Sequence, residues 1–166
     1  MTYQEALDFL NGNFVSFQTA GRTAYKGGLE AITGMCRAMG DPQRDYLSIH
    51  IAGTNGKGST STFLASLAQA HGHTTGLFLS PHFVSFRERV RINGAMLPEN
   101  RWPQLANRIM DAGGAELTYF ELVTALAALA FADAKVELAV METGLGGSWD
   151  AVTALDADSV LFTPIS

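Results

Sequence analysis

Residues 53–60, Gly53-Thr54-Asn55-Gly56-Lys57-Gly58-Ser59-Thr60, put three glycines, three hydroxyls and a lysine into one short stretch. Glycines let backbone N–H groups converge on phosphate oxygens with no Cβ in the way. Lys57 supplies a full charge for the β- and γ-phosphates of a nucleotide. The segment departs from the general pattern G-x-x-x-x-G-K-[ST] at two points. Its first glycine, Gly53, comes two residues late, and Gly58 stands where a metal-binding hydroxyl follows the lysine. The nearest hydroxyls are Ser59 and Thr60, so a metal needs ligands from elsewhere. The bland alternative is a glycine-rich turn carrying a solvated lysine. Against it stands the coincidence of strand, glycine turn, lysine and helix.

A second set of residues can complete such a site. Glu142 closes the apolar run Leu138-Ala139-Val140-Met141. In a parallel sheet all strands end at one edge, where ligands bind, and a carboxylate there can hold Mg²⁺ directly or through water. The competing role is a helix cap or a solvated glutamate. Ser80 ends another short apolar run, Thr74 to Leu79, and could add a hydroxyl ligand; alone it decides nothing. Asp150 either binds a polar ligand edge or caps a helix. His82 is equally open to a structural or a functional role, and His50, inside a strand, reads as a satisfied core or edge histidine. Arg87, Arg89 and Arg91 alternate along one strand face, read as a solvated edge or as a positive face for an anion. Cys36, beside Met35 and Met39, reads as helix core.

The elements that must position these groups follow from periodicity. Thr2-Tyr3-Gln4-Glu5 has the form of a capping box and opens a helix that stops near Gly12. Phe14 and Phe17 cover a core edge, and residues 19–28 form a loop. A second helix spans Leu29 to Met39 and closes at Gly40-Asp41-Pro42. Leu47, Ile49 and Ile51 mark a buried strand before the glycine loop. Phe63, Leu64, Leu67 and Ala68 mark the helix after it, which runs to about Gly72. Thr74 to Leu79 is a strand. Ser85 to Leu97 alternates around Asn93-Gly94, a strong hairpin signal. Helices over Pro98–Ala112 and Thr118–Ala134 follow, the second apolar on nearly all sides. Strands at Glu137–Glu142 and Ser159–Phe162 complete the pattern, with Gly144-Leu145-Gly146-Gly147 as a loop between them. Alternating strands and helices argue for an α/β sandwich with a mostly parallel sheet.

The 166 residues suffice for one domain with its own core, and 47% hydrophobic with 16% charged is globular. A net charge of −5 argues against a nucleic-acid surface. One cysteine cannot form an internal disulfide, in keeping with a reducing cytoplasm. No signal segment is evident, and the longest apolar run, Leu122 to Ala132, is too short to span a bilayer.

Taken together, these motifs resemble the Mur ligase superfamily in the form of folylpolyglutamate synthase and dihydrofolate synthase. The glycine loop is similar to that family's short phosphate loop. Leu79-Ser80-Pro81-His82-Phe83 and Arg87-Glu88-Arg89-Val90-Arg91-Ile92-Asn93-Gly94 resemble its Ser-Pro-His loop and hairpin. Gly28-Leu29-Glu30 resembles the segment before its first strand, and Thr118-Tyr119-Phe120-Glu121 its Thr-x-Phe-Glu helix start. Glu142-Thr143-Gly144-Leu145-Gly146-Gly147 with Asp150-Ala151 resembles its glutamate-glycine loop. The resemblance implies a three-layer phosphate-loop fold of the Mur-ligase central-domain type. It also implies an ATP-dependent ligase. ATP phosphorylates the carboxylate of dihydropteroate or of a folate, and the amine of L-glutamate then attacks the acyl phosphate.

By carry-over, Gly53 to Thr60 hold the phosphates, with Lys57 as the catalytic cation. Ser80 and Glu142 bind Mg²⁺. Phe120 and Asp150 contact the pterin, with Leu29, His82 and Thr118 nearby. Two departures bear on this. Ser148-Trp149 stands where the family has Arg-Leu, and Val152-Thr153 where it has Thr-Asn. The family also runs well beyond this length, so residues 1–166 are expected to be an N-terminal part of the ATP-binding domain. The resemblance implies that a histidine metal ligand, a modified lysine and a C-terminal glutamate ligase domain lie outside these residues, which are expected to be catalytically incomplete alone. The full-length enzyme is expected to be a monomer, and this piece to self-associate through a bare sheet edge. The alternatives are a nucleotide-binding module that has lost ligation and a simple phosphate-loop hydrolase. The two extra loops count against the hydrolase.

Overall fold

The computed structural model describes residues 2–14, 28–144 and 147–166. Eleven regular elements are numbered in chain order. They are α1 (Tyr3–Asn13), α2 (Glu30–Ala38), β1 (Leu47–Ala52), α3 (Lys57–Ala70), β2 (Thr75–Phe78), β3 (Val90–Ile92), β4 (Ala95–Met96), α4 (Arg101–Asp111), α5 (Tyr119–Asp133), β5 (Leu138–Glu142) and β6 (Ser159–Phe162). They build one six-stranded sheet of order β4-β3-β2-β5-β1-β6. β2, β5, β1 and β6 are parallel; β3 and β4 add antiparallel strands at one edge. The α/β sandwich with a mostly parallel sheet is therefore the observed fold.

Strand parity explains the two cores. On β5, Ala139 and Met141 enter the main core with α2, α4 and α5, while Val140 faces the smaller core with Ile51, Ala65 and Leu77 under α3. A strand covered on both faces must be apolar throughout, as Leu138-Ala139-Val140-Met141 is. α5 lies across the main-core face, with Leu122, Val123, Ala125, Leu126, Ala127, Ala128 and Phe131 at 0% exposure. Burial of each large apolar side chain contributes about 1.5–3 kcal/mol. Gly76 on β2 is the point of closest approach: a Cβ there would lie 2.6 Å from the Phe131 ring. Local signals hold at the helix ends. Thr2 and Glu5 form the capping box of α1, and Thr118 and Glu121 that of α5. No helix among the described residues is long and apolar enough to cross a membrane.

The hairpin signal holds at its turn, where Asn93 and Gly94 take φ of 48° and 78°. It fails before the turn. Residues 86–89 form a 3-10 turn, because Ser85 and Glu88 make a reciprocal capping box that competes with strand geometry. Arg87, Arg89 and Arg91 therefore do not share an exposed strand face. Arg87 pairs with Glu99 at 3.1 Å, and Arg89 is buried at 3% exposure. The expected loop over residues 19–28, all but Gly28 of it, and Phe17 lie outside the described residues. Cys36 is core, with burial pushing its thiol up to about 11. His50 is buried too, but its Nε2 has no partner among the described residues, so it is not the satisfied histidine expected.

Candidate functional site

The carboxyl ends of β1, β2 and β5 lie at one edge of the sheet, and the chain's chemistry collects there. β1 runs into the glycine loop, and α3 begins at Lys57 with Gly56 as its left-handed N-cap at φ 85°. Gly53 is required by two constraints. Its φ is 138°, and a Cβ there would run into Thr163 Oγ1 and lie 2.7 Å from the Thr163 carbonyl oxygen. Lys57 Nζ donates to the carbonyls of Gly53 at 2.9 Å and Thr54 at 3.4 Å, curling over its own loop.

The loop's backbone donors divide into two groups. Thr54 and Asn55 N–H both donate to the Pro164 carbonyl, at 3.0 and 3.4 Å. Thr60 N–H donates to the Gly56 carbonyl as the first bond of the helix. The N–H groups of Gly56, Lys57, Gly58 and Ser59 meet no backbone carbonyl among the described residues. They are the orphan donors of a helix start, where partial positive charge favours an anion. The phosphate-loop geometry thus centres on 56–59, with Thr54 and Asn55 fixing the loop against the end of β6.

Glu142 stands directly beside this helix start. A Cβ on Gly58 would sit in ordinary contact with the carboxylate, 3.5 Å from Glu142 Oε2 and 3.6 Å from Oε1. Ser80 N–H donates to Glu142 Oε2 at 2.9 Å, which places the end of β2 against the same carboxylate. Burial pushes the Glu142 carboxyl above its ordinary value, opposed by that hydrogen bond and by the fields of Lys57 and Arg89. The set is one buried carboxylate, an adjacent serine and a row of free backbone donors. It suits a hard cation that takes few protein ligands and keeps phosphate oxygens and water. Among the described residues no cluster of three histidine, cysteine or acidic groups exists.

The other predicted residues fall around this edge with unequal clarity. Phe120 and Asp150 do come together: a Cβ on Gly144 would meet the Phe120 ring at 2.7 Å and Asp150 Oδ2 at 3.1 Å. Asp150 is buried; its Oδ2 accepts from Gly144 N–H at 2.8 Å and its Oδ1 from Val152 N–H at 3.0 Å. It caps the turn Ala151–Leu155, the structural half of the choice left open above. Thr118 caps α5, and Leu29 packs against the main core at the start of α2. His82 Nδ1 accepts from Arg89 Nε–H at 3.0 Å, and burial, then Arg89, lower its basicity.

Two residues were not singled out in the sequence. Glu88 accepts N–H bonds from Phe83, Val84 and Ser85 at 2.9, 2.9 and 2.7 Å, which hold its carboxyl down to about 2. It fixes the loop that carries Ser80 and His82. The signal was present as Ser85-x-x-Glu88, a capping-box spacing. Thr163, which fits against Gly53, carries no local sequence signal.

A strand, a glycine turn whose N–H groups at 56–59 meet no backbone carbonyl among the described residues, a lysine and a buried carboxylate thus meet at one edge of an α/β sheet, an arrangement able to hold an anion beside a cation. No protein-family profile matches the chain. The chain is 33% identical over 171 residues to the dihydrofolate synthase/folylpolyglutamate synthase of Bacillus subtilis, covering 98% of this chain and 38% of that protein. The structure of Escherichia coli FolC in complex with DHPP and ADP matches all of this chain and 39% of that one, at 33% identity and a TM-score of 0.90. The Yersinia pestis bifunctional folylpolyglutamate synthase/dihydrofolate synthase complexed with AMPPNP and Mn ion matches at 30% identity and a TM-score of 0.85, covering 98% and 38%. The chain belongs to the folylpolyglutamate/dihydrofolate synthase family and matches the N-terminal part of its members. It spans between about a fifth and two fifths of the curated relatives it matches.

Proposed function

We propose that this chain is the nucleotide- and acceptor-binding part of an ATP-dependent ligase that joins L-glutamate to the carboxylate of dihydropteroate or a folate. The observation that carries the reading is the Glu142 carboxylate held between the first turn of α3 and the Ser80 N–H. It brings a metal-competent group to the donors that would hold phosphate. Relatives captured with ADP, with DHPP, and with AMPPNP and Mn support the ligand classes. The charge and loop geometry support their places here.

In this reading the free N–H groups at 56–59 and the Lys57 ammonium hold the β- and γ-phosphates, with Gly53, Thr54, Asn55 and Thr60 shaping the loop. Lys57 exchanges its two loop carbonyls for phosphate oxygens and offsets charge that develops during transfer. Glu142 and Ser80 would hold Mg²⁺, which supplies charge neutralisation on the phosphates. Phe120, Asp150, Leu29, Thr118 and His82 line the acceptor's side, with Phe120 offering an aromatic face to a pterin ring. The acceptor carboxylate takes the γ-phosphoryl group, and the amine of L-glutamate displaces phosphate to leave an amide.

The reading places residues 1–166 in the N-terminal part of the ATP-binding domain, supported by the share of each relative that they span. These residues alone are expected to bind nucleotide without completing ligation. A cytoplasmic setting fits the single, buried cysteine. The test is ADP release by the complete protein. It should require Mg²⁺, L-glutamate and dihydropteroate or a folate together. Release that needs neither acceptor nor glutamate would overturn the ligase reading in favour of a simple hydrolase. Glutamate-dependent release from these 166 residues alone would contradict the division of labour.

A further inference from the structure

Arg89 is a buried cation that the roles above leave unused. It leaves the 3-10 turn 86–89 pointing inward and is 3% exposed. Its Nε–H donates to His82 Nδ1, and its guanidinium carbon lies 5.7 Å from the centre of the Phe86 ring and 5.8 Å from that of Tyr119. The rings and the histidine fix its plane. They do not neutralise it. Among the described residues its Nη groups make no hydrogen bond, and no carboxylate comes within ion-pair distance. Nor are they sealed in the core: the enclosed, unpartnered side-chain atoms include Arg91 Nε but no atom of Arg89. The small residual exposure of the side chain therefore lies at the fork.

A cation withdrawn from water without a counter-ion is unfavourable. Arg87 and Arg91, on either side, are only half-buried, so Arg89 is the arginine of the three that is drawn fully inside. What Arg89 faces gives the reason. After the Tyr119 hydroxyl, the Glu142 carboxylate is the charge that acts on Arg89, and Glu142 in turn feels both Lys57 and Arg89. Lys57, Glu142 and Arg89 thus share one electrostatic neighbourhood at the sheet edge. Lys57 belongs to the phosphate loop and Arg89 to the connection after β2. Arg89 is also tied to the Ser80 loop, since its carbonyl accepts from Leu79 N–H at 3.0 Å.

We propose that the Nη fork of Arg89 binds the carboxylate of the acceptor molecule, the group that receives the phosphoryl. The proposal rests on the ligase reading above and names the acceptor-side cation of that site. A planar guanidinium fits a carboxylate with two parallel N–H···O bonds, and its fixed plane adds orientation to charge. A cation there also reduces the repulsion between the incoming carboxylate and the nucleotide's phosphates. His82 holds Nε from behind and acts as a positioning residue for the fork.

The test compares the affinities of dihydropteroate and its primary amide, in the unaltered protein, Arg89→Gln and Arg89→Lys. Mg-ATP affinity is measured beside them. A charge-assisted hydrogen bond should make the acid bind about 10- to 100-fold more tightly than the amide in the unaltered protein. Arg89→Gln should bring that ratio close to one. Arg89→Lys should keep part of it, and ATP affinity should hold in both variants. A ratio unchanged in Arg89→Gln overturns the proposal. So does an equal loss of acid and amide, the mark of a purely structural arginine. A selective loss of ATP affinity would assign the fork to a phosphate and overturn it as well. Failure of the unaltered protein to bind either pteroate compound would instead bring down the ligase reading, and with it the ligand assigned to Arg89. If Arg89→Gln does not fold, the acid-to-amide ratio of Arg89→Lys decides: a full ratio refutes a bidentate role.

Discussion

His50 gives a prediction whose sign and size follow from its place in β1. Its imidazole is 3% exposed, pairs in register with Met141 and Val160, and has no partner for Nε2 among the described residues. Burial lowers its basicity from the ordinary 6.5 to about 4, with Asp156 and Asp158 opposing in part. The folded protein holds this histidine neutral, while the unfolded chain protonates it below pH 6.5. Stability is therefore fully present above pH 6.5, is lost as pH falls from there to about 4, and loses nothing more from this residue below that. The gap between the two values corresponds to about 3 kcal/mol. By pH 5, about 2 kcal/mol of it should be gone. The assay is denaturant unfolding at pH 7 and pH 5 for the protein and for His50→Val, a strand-compatible side chain without a titrating group. Other shifted groups, such as the raised Glu142 and the lowered His82, are common to both proteins, so the difference between the two isolates His50. Unfolding free energy should fall by about 2 kcal/mol more in the unaltered protein than in the variant. Equal falls would refute the reasoning and mean that protonated His50 finds a partner or reaches water.

Gly53→Ala should unseat the loop from Thr163, through both the positive φ and the contact with the Thr163 carbonyl. Destabilisation of about 1–3 kcal/mol with loss of nucleotide binding is expected, and a variant that binds ATP normally would show the contact to be dispensable. β6 is a sheet edge whose Val160, Leu161 and Phe162 are 50%, 43% and 71% exposed. An open apolar edge pairs readily with another, so the 166-residue chain should show concentration-dependent association by sedimentation, weakened by Leu161→Lys. A monodisperse monomer at high concentration would count against this.

Much of this was legible in the sequence because the decisive signals were local. Strand, glycine turn and helix around Lys57 could each be read from local pattern, although Phe63 and Leu67, which marked the helix, are exposed. The uninterrupted apolar runs at 122–132 and 138–141 announced elements covered on most sides, and Asn93-Gly94 marked its turn. The failures have three separate causes. Arg89 looked like its neighbours Arg87 and Arg91 under a period of two, until the Ser85–Glu88 cap wound the segment into a 3-10 turn and rotated one arginine inward. Asp150 could not be assigned by spacing, because capping a turn and facing a ligand ask for the same residue at the same place. The division of loop donors was also hidden, since it depends on Pro164, more than a hundred residues away from Thr54 and Asn55.

The central claim is that the turn from β1 into α3 is a working phosphate site with Lys57 as its cation. Its most direct test is calorimetric titration of Mg-ATP into the protein and into Lys57→Ala. Binding that weakens at least about tenfold on losing the charge-assisted contacts of the lysine, with unfolding of the variant unchanged, is the predicted result. Equal affinity in the two proteins would contradict the account, as would the absence of binding in both.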